Sequence, residues 1–523
     1  DGNGGVMRQA GTSFAAPLVS GTAALIHGAW PWWKDHAEET VDVILRSATD
    51  LGEEGVDEVY GWGLLNVEGA LSPLNWNRLR FYADHDGDGD FIGGWRGKSA
   101  RWIRRAYLRS DVLQLENDGA YVVALESVGD TFRDFRIPLS TQLYGTESVI
   151  DGVEHDRRFQ RHLHQRFVDW ASEGSNFGDV QSTSVNLGLN GDWALSMQAA
   201  PYTPGSDVRE GELPFQTDIM LSAPESQTAF RFGHGDGAAR LSSNPVFGFY
   251  SDFDVETGGV NPLLGLASGG TYASTQFSVS ERLSISASVT EASDDHSYID
   301  PLTGQRVYNA DDLVDFNASA ANISMNYALT DHLNLSVDYT QLTERDSLLG
   351  GQGTGFLSLE GGSVTDAVTL GSDVDLPFGM QFGLSATVGE TRGTSFADGA
   401  LSLSDEGLTS TAFAIGVRKD GLIGDHDTFR LSIAQPLHVE AGSFEFTTLE
   451  VVNRETGELG LVSQTWGVAD TGRDYNLEAS YGTALMDGMA EVSAFSRVEF
   501  NETPIANESE TDYAVGARFA IRY

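Results

Sequence analysis

The sequence predicts a multidomain chain: a short α/β remnant at the N-terminus, a mixed and mostly β middle, and a C-terminal antiparallel β-barrel of about twelve strands. Three observations carry that prediction. A run that is apolar nearly all round, Leu18 to Ile26, follows a small-residue turn at Gly11-Thr12-Ser13, as expected of a buried helix. From about residue 245, segments of ten or so residues alternate in polarity with a period of two, the mark of strands. The connections between those segments alternate between short turns and long polar loops. The resulting divisions are 1–72, 73–244 and 245–523.

The N-terminal element centres on Gly11-Thr12-Ser13-Phe14-Ala15-Ala16-Pro17. A serine hydroxyl becomes a nucleophile when it passes its proton to a neighbouring base, usually a His that a carboxylate orients. Gly11 lets a substrate carbonyl approach the backbone, and Ala15 and Ala16 permit close packing. Pro17 is expected in the first helical turn, where an N–H has no intrahelical partner to lose. The helix N-terminus, with its open N–H groups and positive dipole end, then lies beside Ser13 and favours an oxyanion there. A second, amphipathic helix is predicted over 38–48, with Val41, Ile44, Leu45 and Ala48 on one face. Tyr60-Gly61-Trp62-Gly63-Leu64-Leu65-Asn66 and a short helix from Val67 close the element.

These residues resemble the subtilase family of serine proteases, whose nucleophile motif is Gly-Thr-Ser-x-Ala-x-Pro; every defined position is matched. The resemblance implies that 1–72 is the last quarter of a catalytic domain, with Ser13 the nucleophile on a turn shaped by Gly11 and Thr12. It also implies a triad ordered Asp, His, Ser along the chain, with the oxyanion Asn likewise upstream. Only twelve residues precede Ser13, and none is His. The chain is therefore expected to be a fragment of a longer parent. That parent would be a serine endopeptidase acting on proteins or peptides, needing no cofactor for its chemistry, while the fragment alone would be inactive. His27, His36, His85, His155, His162 and His164 belong to no motif that ties them to the serine, and read as surface or packing residues. The competing reading is a non-catalytic outer-membrane translocator or surface protein that carries a protease remnant.

Composition narrows the field. Lys and Arg number 32 against 76 Asp and Glu, a net charge of -44 that argues against a nucleic-acid partner. The chain has 0 Cys, so disulfides and thiolate zinc sites are excluded. No apolar run reaches the length of a membrane-spanning helix, although a transmembrane barrel would not show one.

In the C-terminal division, strands are predicted at 245–253, 271–280, 283–292, 316–329, 333–344, 366–376, 380–390, 409–420, 428–446, 473–484, 489–500 and 511–523. Short turns fall near 281, 331, 378, 423 and 486; long polar loops near 254–270, 293–315, 345–365, 391–408, 453–472 and 501–510. In the last strand, Tyr513, Val515, Ala517, Phe519, Ile521 and Tyr523 share one face, and small or charged residues the other, as for lipid and lumen sides. The terminal aromatic, Tyr523, resembles the signal by which barrel proteins are recognised for insertion. A subtilase followed by such a barrel resembles the serine-protease autotransporters of Gram-negative bacteria. That resemblance implies an outer-membrane or cell-surface location, a displayed or released passenger, and the barrel-assembly machinery as partner.

The middle offers two features. Asp84, Asp86, Asp88 and Asp90 alternate as in the first half of a calcium loop, but Trp95 stands where the bidentate Glu would be, and a solvated acidic turn fits equally well. The basic stretch Arg96, Lys98, Arg101, Arg104, Arg105 and Arg109 is expected to pair with internal carboxylates. A helix is predicted over 157–171.

Overall fold

The computed structural model describes residues 11–81, 121–138, 143–144, 183–188, 193–201, 215–223, 228–235, 237–242, 261–294, 297–299, 306–308, 315–353, 359–396, 401–424, 427–467, 473–485, 490–503 and 508–521. It forms two compact units. The first is Asp1–Gln142 with Glu445–Trp466; the second is Leu143–Phe444 with Gly467–Tyr523. The sequence division near 72 thus falls inside the first unit, and that near 244 inside the second.

The first unit begins with α1 (Thr12–Ala29), a 3-10 turn (Pro31–Asp35), α2 (Ala37–Arg46) and α3 (Val67–Leu71). A three-stranded sheet of β1 (Arg80–Phe81), β2 (Tyr121–Val128) and β3 (Thr131–Pro138) follows, with β2 central. Three tryptophans join helices to sheet. The Trp30 indole N–H donates to the carbonyl and carboxylate of Asp134, and those of Trp32 and Trp33 both donate to the Phe132 carbonyl. Beneath them the Arg133 side chain is wholly buried. Its guanidinium pairs with Glu126, donates to the carbonyls of Ala70 and Ser72, and lies over the rings of Trp30 and Phe135. A buried cation is tolerable because its two terminal nitrogens are met by oxygens and its flat faces by aromatic rings.

Two helical expectations need correction. The buried residues of α2 are Thr40, Val43 and Ile44, while Val41 is exposed. Thr40 takes the inward position because its hydroxyl donates to the His36 carbonyl (2.8 Å) and meets His27 Nε2 (3.0 Å). The α1 helix was expected to be buried all round, yet only Thr22 and Ile26 are. Phe14, Leu18 and Leu25 are each more than half exposed, because among the described residues nothing covers them.

The second unit is dominated by one large antiparallel sheet. After β4 (Leu143–Tyr144) come β5 (Thr183–Gly188), β6 (Ala194–Pro201), β7 (Phe215–Ala223) and β8 (Thr228–His234), then α4 (Gly237–Leu241) and α5 (Pro262–Leu266). Next are β9 (Thr271–Ser280), β10 (Leu283–Asp294), β11 (Ser297–Ile299), β12 (Arg306–Tyr308), β13 (Phe316–Thr330), β14 (Leu333–Arg345), β15 (Gln352–Gly353), β16 (Ser363–Leu376), β17 (Met380–Thr391) and β18 (Thr394–Ser395). The series ends with β19 (Leu401–Asp420), β20 (Asp427–Asn453), β21 (Glu458–Gly467), β22 (Tyr475–Leu485), β23 (Ala490–Thr503) and β24 (Glu508–Ile521).

Antiparallel pairing runs along the hairpins β9–β10, β13–β14, β16–β17 and β23–β24, with partners such as Ile323↔Tyr339 and Val498↔Tyr513; the register shifts once beside the turn in β9–β10 (at Leu283/Ser284) and in β13–β14 (at Ala328/Thr330). The turns expected near 281, 331 and 378 are where the sequence placed them. The strand order, from β10 through β24 and on through β5 to β9, is that of a barrel. It contains more strands than the twelve counted from the sequence. The short strands β5 to β8 were not among them, because at six to nine residues each they show too little alternation to stand out. The segment 245–253, predicted as a strand, lies outside the described residues; β8 pairs with β9 in the sheet. Within the polar loop expected near 453–472, residues 458–467 form β21, which follows β20 after a tight turn at 453–457; residues 468–472 lie outside the described residues.

The two faces of this sheet differ in chemistry. On β13, Ala318, Ala320, Asn322 and Ser324 are buried, while Ile323, Met325, Tyr327 and Leu329 are exposed. On β14, Ser336, Asp338 and Thr340 are buried, and Val337 and Tyr339 exposed. The polar face is therefore turned in and the apolar face out, the inverse of a water-soluble sheet. Against the inner face lies α5 with its N-cap residue Asn261. Leu263, Leu264 and Leu266 pack with Tyr272, Ala318 and Leu342, and Asn261 donates to the Thr340 hydroxyl (3.1 Å).

Candidate functional site

The serine turn opens α1. Gly11 is the N-cap residue, in an extended conformation, and no side chain caps the helix. Phe14 N–H donates to the Gly11 carbonyl (3.0 Å), and among the described residues no side chain caps the helix start beside Ser13. Gly11, Thr12 and Ser13 are all solvent-exposed. An exposed hydroxyl beside an uncapped helix N-terminus can be reached by a substrate carbonyl, and the helix end favours the oxyanion that attack creates.

Helix α1 starts at Thr12, not at Pro17, which places Pro17 in the second turn. Its ring lacks the N–H that would have bonded the Ser13 carbonyl four residues back. The expectation of a first-turn proline is thereby corrected. The consequence falls on the serine itself, whose carbonyl is relieved of its helical partner.

The candidate bases are placed plainly. His27 lies fourteen residues further along the same helix, roughly 21 Å by axial rise. Its Nε2 is engaged with Thr40. His36 lies beside Glu39 (Nδ1–Oε2 3.6 Å) at the start of α2. His27 is thereby kept away from Ser13 along the helix axis. His85, His155, His162 and His164 lie outside the described residues, as do Asp84, Asp86, Asp88, Asp90, the basic stretch 96–109 and the segment 157–171. Among the described residues no cluster of three or more His, Asp or Glu could hold a metal, and no helix is long and apolar enough to cross a membrane.

The closing loop folds on itself. Asp57 Oδ1 accepts from the backbone N–H groups of Tyr60 (2.5 Å) and Val59 (2.8 Å). These bonds, the Tyr60 one foremost, hold the Asp57 carboxyl below the usual carboxylate range. Thr49 and Leu64 exchange backbone hydrogen bonds (2.8 Å each), and Gly63, at φ 100°, sits where any Cβ would strike the Thr49 carbonyl. Asn66 then caps α3, its Oδ1 accepting from Gly69 N–H (2.8 Å). The expected terminal helix is therefore present, five residues long.

Residues 1–63 match the subtilase family. Over 88 residues the chain is 41% identical to the Neisserial autotransporter lipoprotein NalP of Neisseria meningitidis, a stretch that covers 17% of this chain and 8% of NalP. Over 70 residues it is 40% identical to an extracellular serine protease of Serratia marcescens, covering 13% of this chain and 6% of that protein. The matched stretch thus spans less than a tenth of either relative. Among solved structures, OmpT, an outer membrane protein of Vibrio cholerae, is similar with a TM-score of 0.37 at 8% identity, over 65% of this chain and 88% of OmpT. An anion-selective porin from Comamonas acidovorans is similar with a TM-score of 0.34 at 12% identity, over 64% of this chain and 86% of the porin.

Proposed function

We propose that this chain is part of a subtilisin-like serine endopeptidase that is exported to the outer membrane or cell surface by the barrel formed from its second unit. Ser13 is its nucleophile. An upstream His takes the Ser13 proton as Oγ attacks the scissile carbonyl, and an upstream Asp orients that His. The Ser13 backbone N–H, at the uncapped start of α1, helps to hold the oxyanion. Water then hydrolyses the acyl-enzyme. The bare apolar side of α1, with Phe14, Leu18 and Leu25, is the surface that the preceding part of the catalytic domain covers. The large sheet of the second unit spans the membrane as a closed barrel, which accounts for its apolar outer and polar inner faces.

The observation that carries this reading is the intact nucleophile heptapeptide at an exposed, uncapped helix start, inside the stretch that matches the subtilase family. The test is fluorophosphonate labelling of the full-length parent. Labelling that disappears in Ser13→Ala is expected. A folded parent that takes no label, or takes it equally with Ser13→Ala, would favour the translocator with a protease remnant.

A further inference from the structure

The first unit is assembled from two stretches that lie more than three hundred residues apart, Asp1–Gln142 and Glu445–Trp466. The second stretch is the far half of the β20–β21 hairpin, and it meets the first through a built contact. At the hairpin tip Gly457 N–H donates to the Asn453 carbonyl (2.8 Å), and Gly457 has φ 71°. This turn leaves Gly457 flat against Trp32, so close that a Cβ there would stand 2.9 Å from the ring. Arg454 is the anchor. Its guanidinium donates to both carboxylate oxygens of Asp134 (2.8 and 3.2 Å) and to the Ala29 carbonyl at the C-terminal end of α1 (2.6 Å). It also lies over the Trp32 ring, 5.1 Å from the centroid.

A cation that satisfies a fork of carboxylate oxygens, a helix-end carbonyl and an aromatic face at once is a specific contact, unlike an exposed pair such as Lys34–Glu455. A second point of attachment lies lower on the hairpin. There Gln464 donates to the Tyr121 carbonyl (3.2 Å), and the Tyr121 hydroxyl donates to Glu450 (3.3 Å). The Tyr121 phenol is pushed above its ordinary value, first by burial and then by the Glu450 charge.

We propose that the β20–β21 hairpin is a clamp that retains the N-terminal part of the chain after the backbone between the two is cut. The occupant of the hairpin is this chain's own surface formed by the Trp30–Trp33 turn, the end of α1 and β3. Cleavage anywhere in 145–182 separates residues 12–138 from the rest covalently, but leaves the 445–466 stretch bound to them. Release of the N-terminal part is therefore governed by the dissociation of this contact as well as by hydrolysis. The inference does not depend on Ser13 being catalytic.

The test uses the full chain in detergent micelles, with a tobacco-etch-virus protease site inserted between Gly174 and Ser175 and an affinity tag at the C-terminus. After complete cutting, the N-terminal fragment is expected to stay on the resin with the tagged fragment. Arg454→Ala is expected to speed its loss at least tenfold. Replacement of 453–457 by an Asn-Gly turn, which keeps the hairpin but removes its tip, is expected to release it on washing. Glu455→Ala should change the rate by less than about twofold. Heat-modifiable migration of the tagged fragment checks in each variant that the C-terminal part is folded. Immediate loss of the wild-type fragment, or equal retention by the tip-replaced variant, overturns the clamp.

Discussion

Arg133 shows how one residue can decide a unit's stability. It is wholly buried among tryptophans, and its charge is acceptable only because Glu126 and two backbone carbonyls meet it. Removing one partner of such a pair strands the other charge, at a cost of about 3–5 kcal/mol, whereas replacing both by apolar groups of similar size is often neutral. Arg133→Met is therefore expected to lower the urea midpoint for β2 and β3, followed by hydrogen exchange of their peptides. Arg133→Met combined with Glu126→Leu should regain most of the loss. Nothing in the sequence singled out this arginine, since β3 alternates Phe132, Arg133, Asp134 and Phe135 without an obvious inner face. Ser13 is the opposite case. Its motif is local and reads directly from the chain, whereas the place of Pro17 depends on where the helix starts, five residues before it.

At the scale of elements, the Asp57 turn carries a pH signature. Its carboxyl accepts the Tyr60 and Val59 N–H groups, and these bonds favour the charged form. A carboxyl that titrates lower in the folded turn than in the unfolded chain contributes fully above about pH 4. That contribution is lost as pH falls through the folded value. Exchange protection of the 57–63 peptide should thus hold from pH 7 down to about pH 4 and fall in stronger acid. In Asp57→Asn the acid step should vanish, and persistence of the step would assign it to another group. The β20–β21 hairpin illustrates a different limit. Asn453 to Glu458 is polar and glycine-containing and reads as a loop, and the strands that flank it were partly absorbed into that loop. Its docking residues become meaningful only beside Trp32 and Asp134, which are remote in sequence.

At the scale of the whole molecule, the outward apolar face of the sheet makes a directional prediction. Ile323, central on β13 and exposed, should not tolerate charge if that face meets lipid. Ile323→Lys is expected to cost about 2–4 kcal/mol at membrane mid-depth. Asn326→Lys, three residues on and turned to the other face, should cost far less. The fraction of folded, heat-modifiable protein after refolding into vesicles reads the difference, and equal losses would argue for a water-soluble sheet. The same alternation that made the strands after 271 legible hid the ones before 235, which are short and carry their pattern over too few residues.

The serine turn and the closing loop are legible in the chain alone, because each depends on neighbours within a few residues. So are the paired strands with their tight turns, because period-two alternation is a local property of a pleated chain. The tertiary structure alone decided which side of α2 is buried, how many strands the sheet recruits, and that residues 445–466 complete a unit begun at the other end of the chain. Those outcomes rest on contacts between distant segments, and their energy depends on which surfaces meet, a quantity that no window of sequence contains.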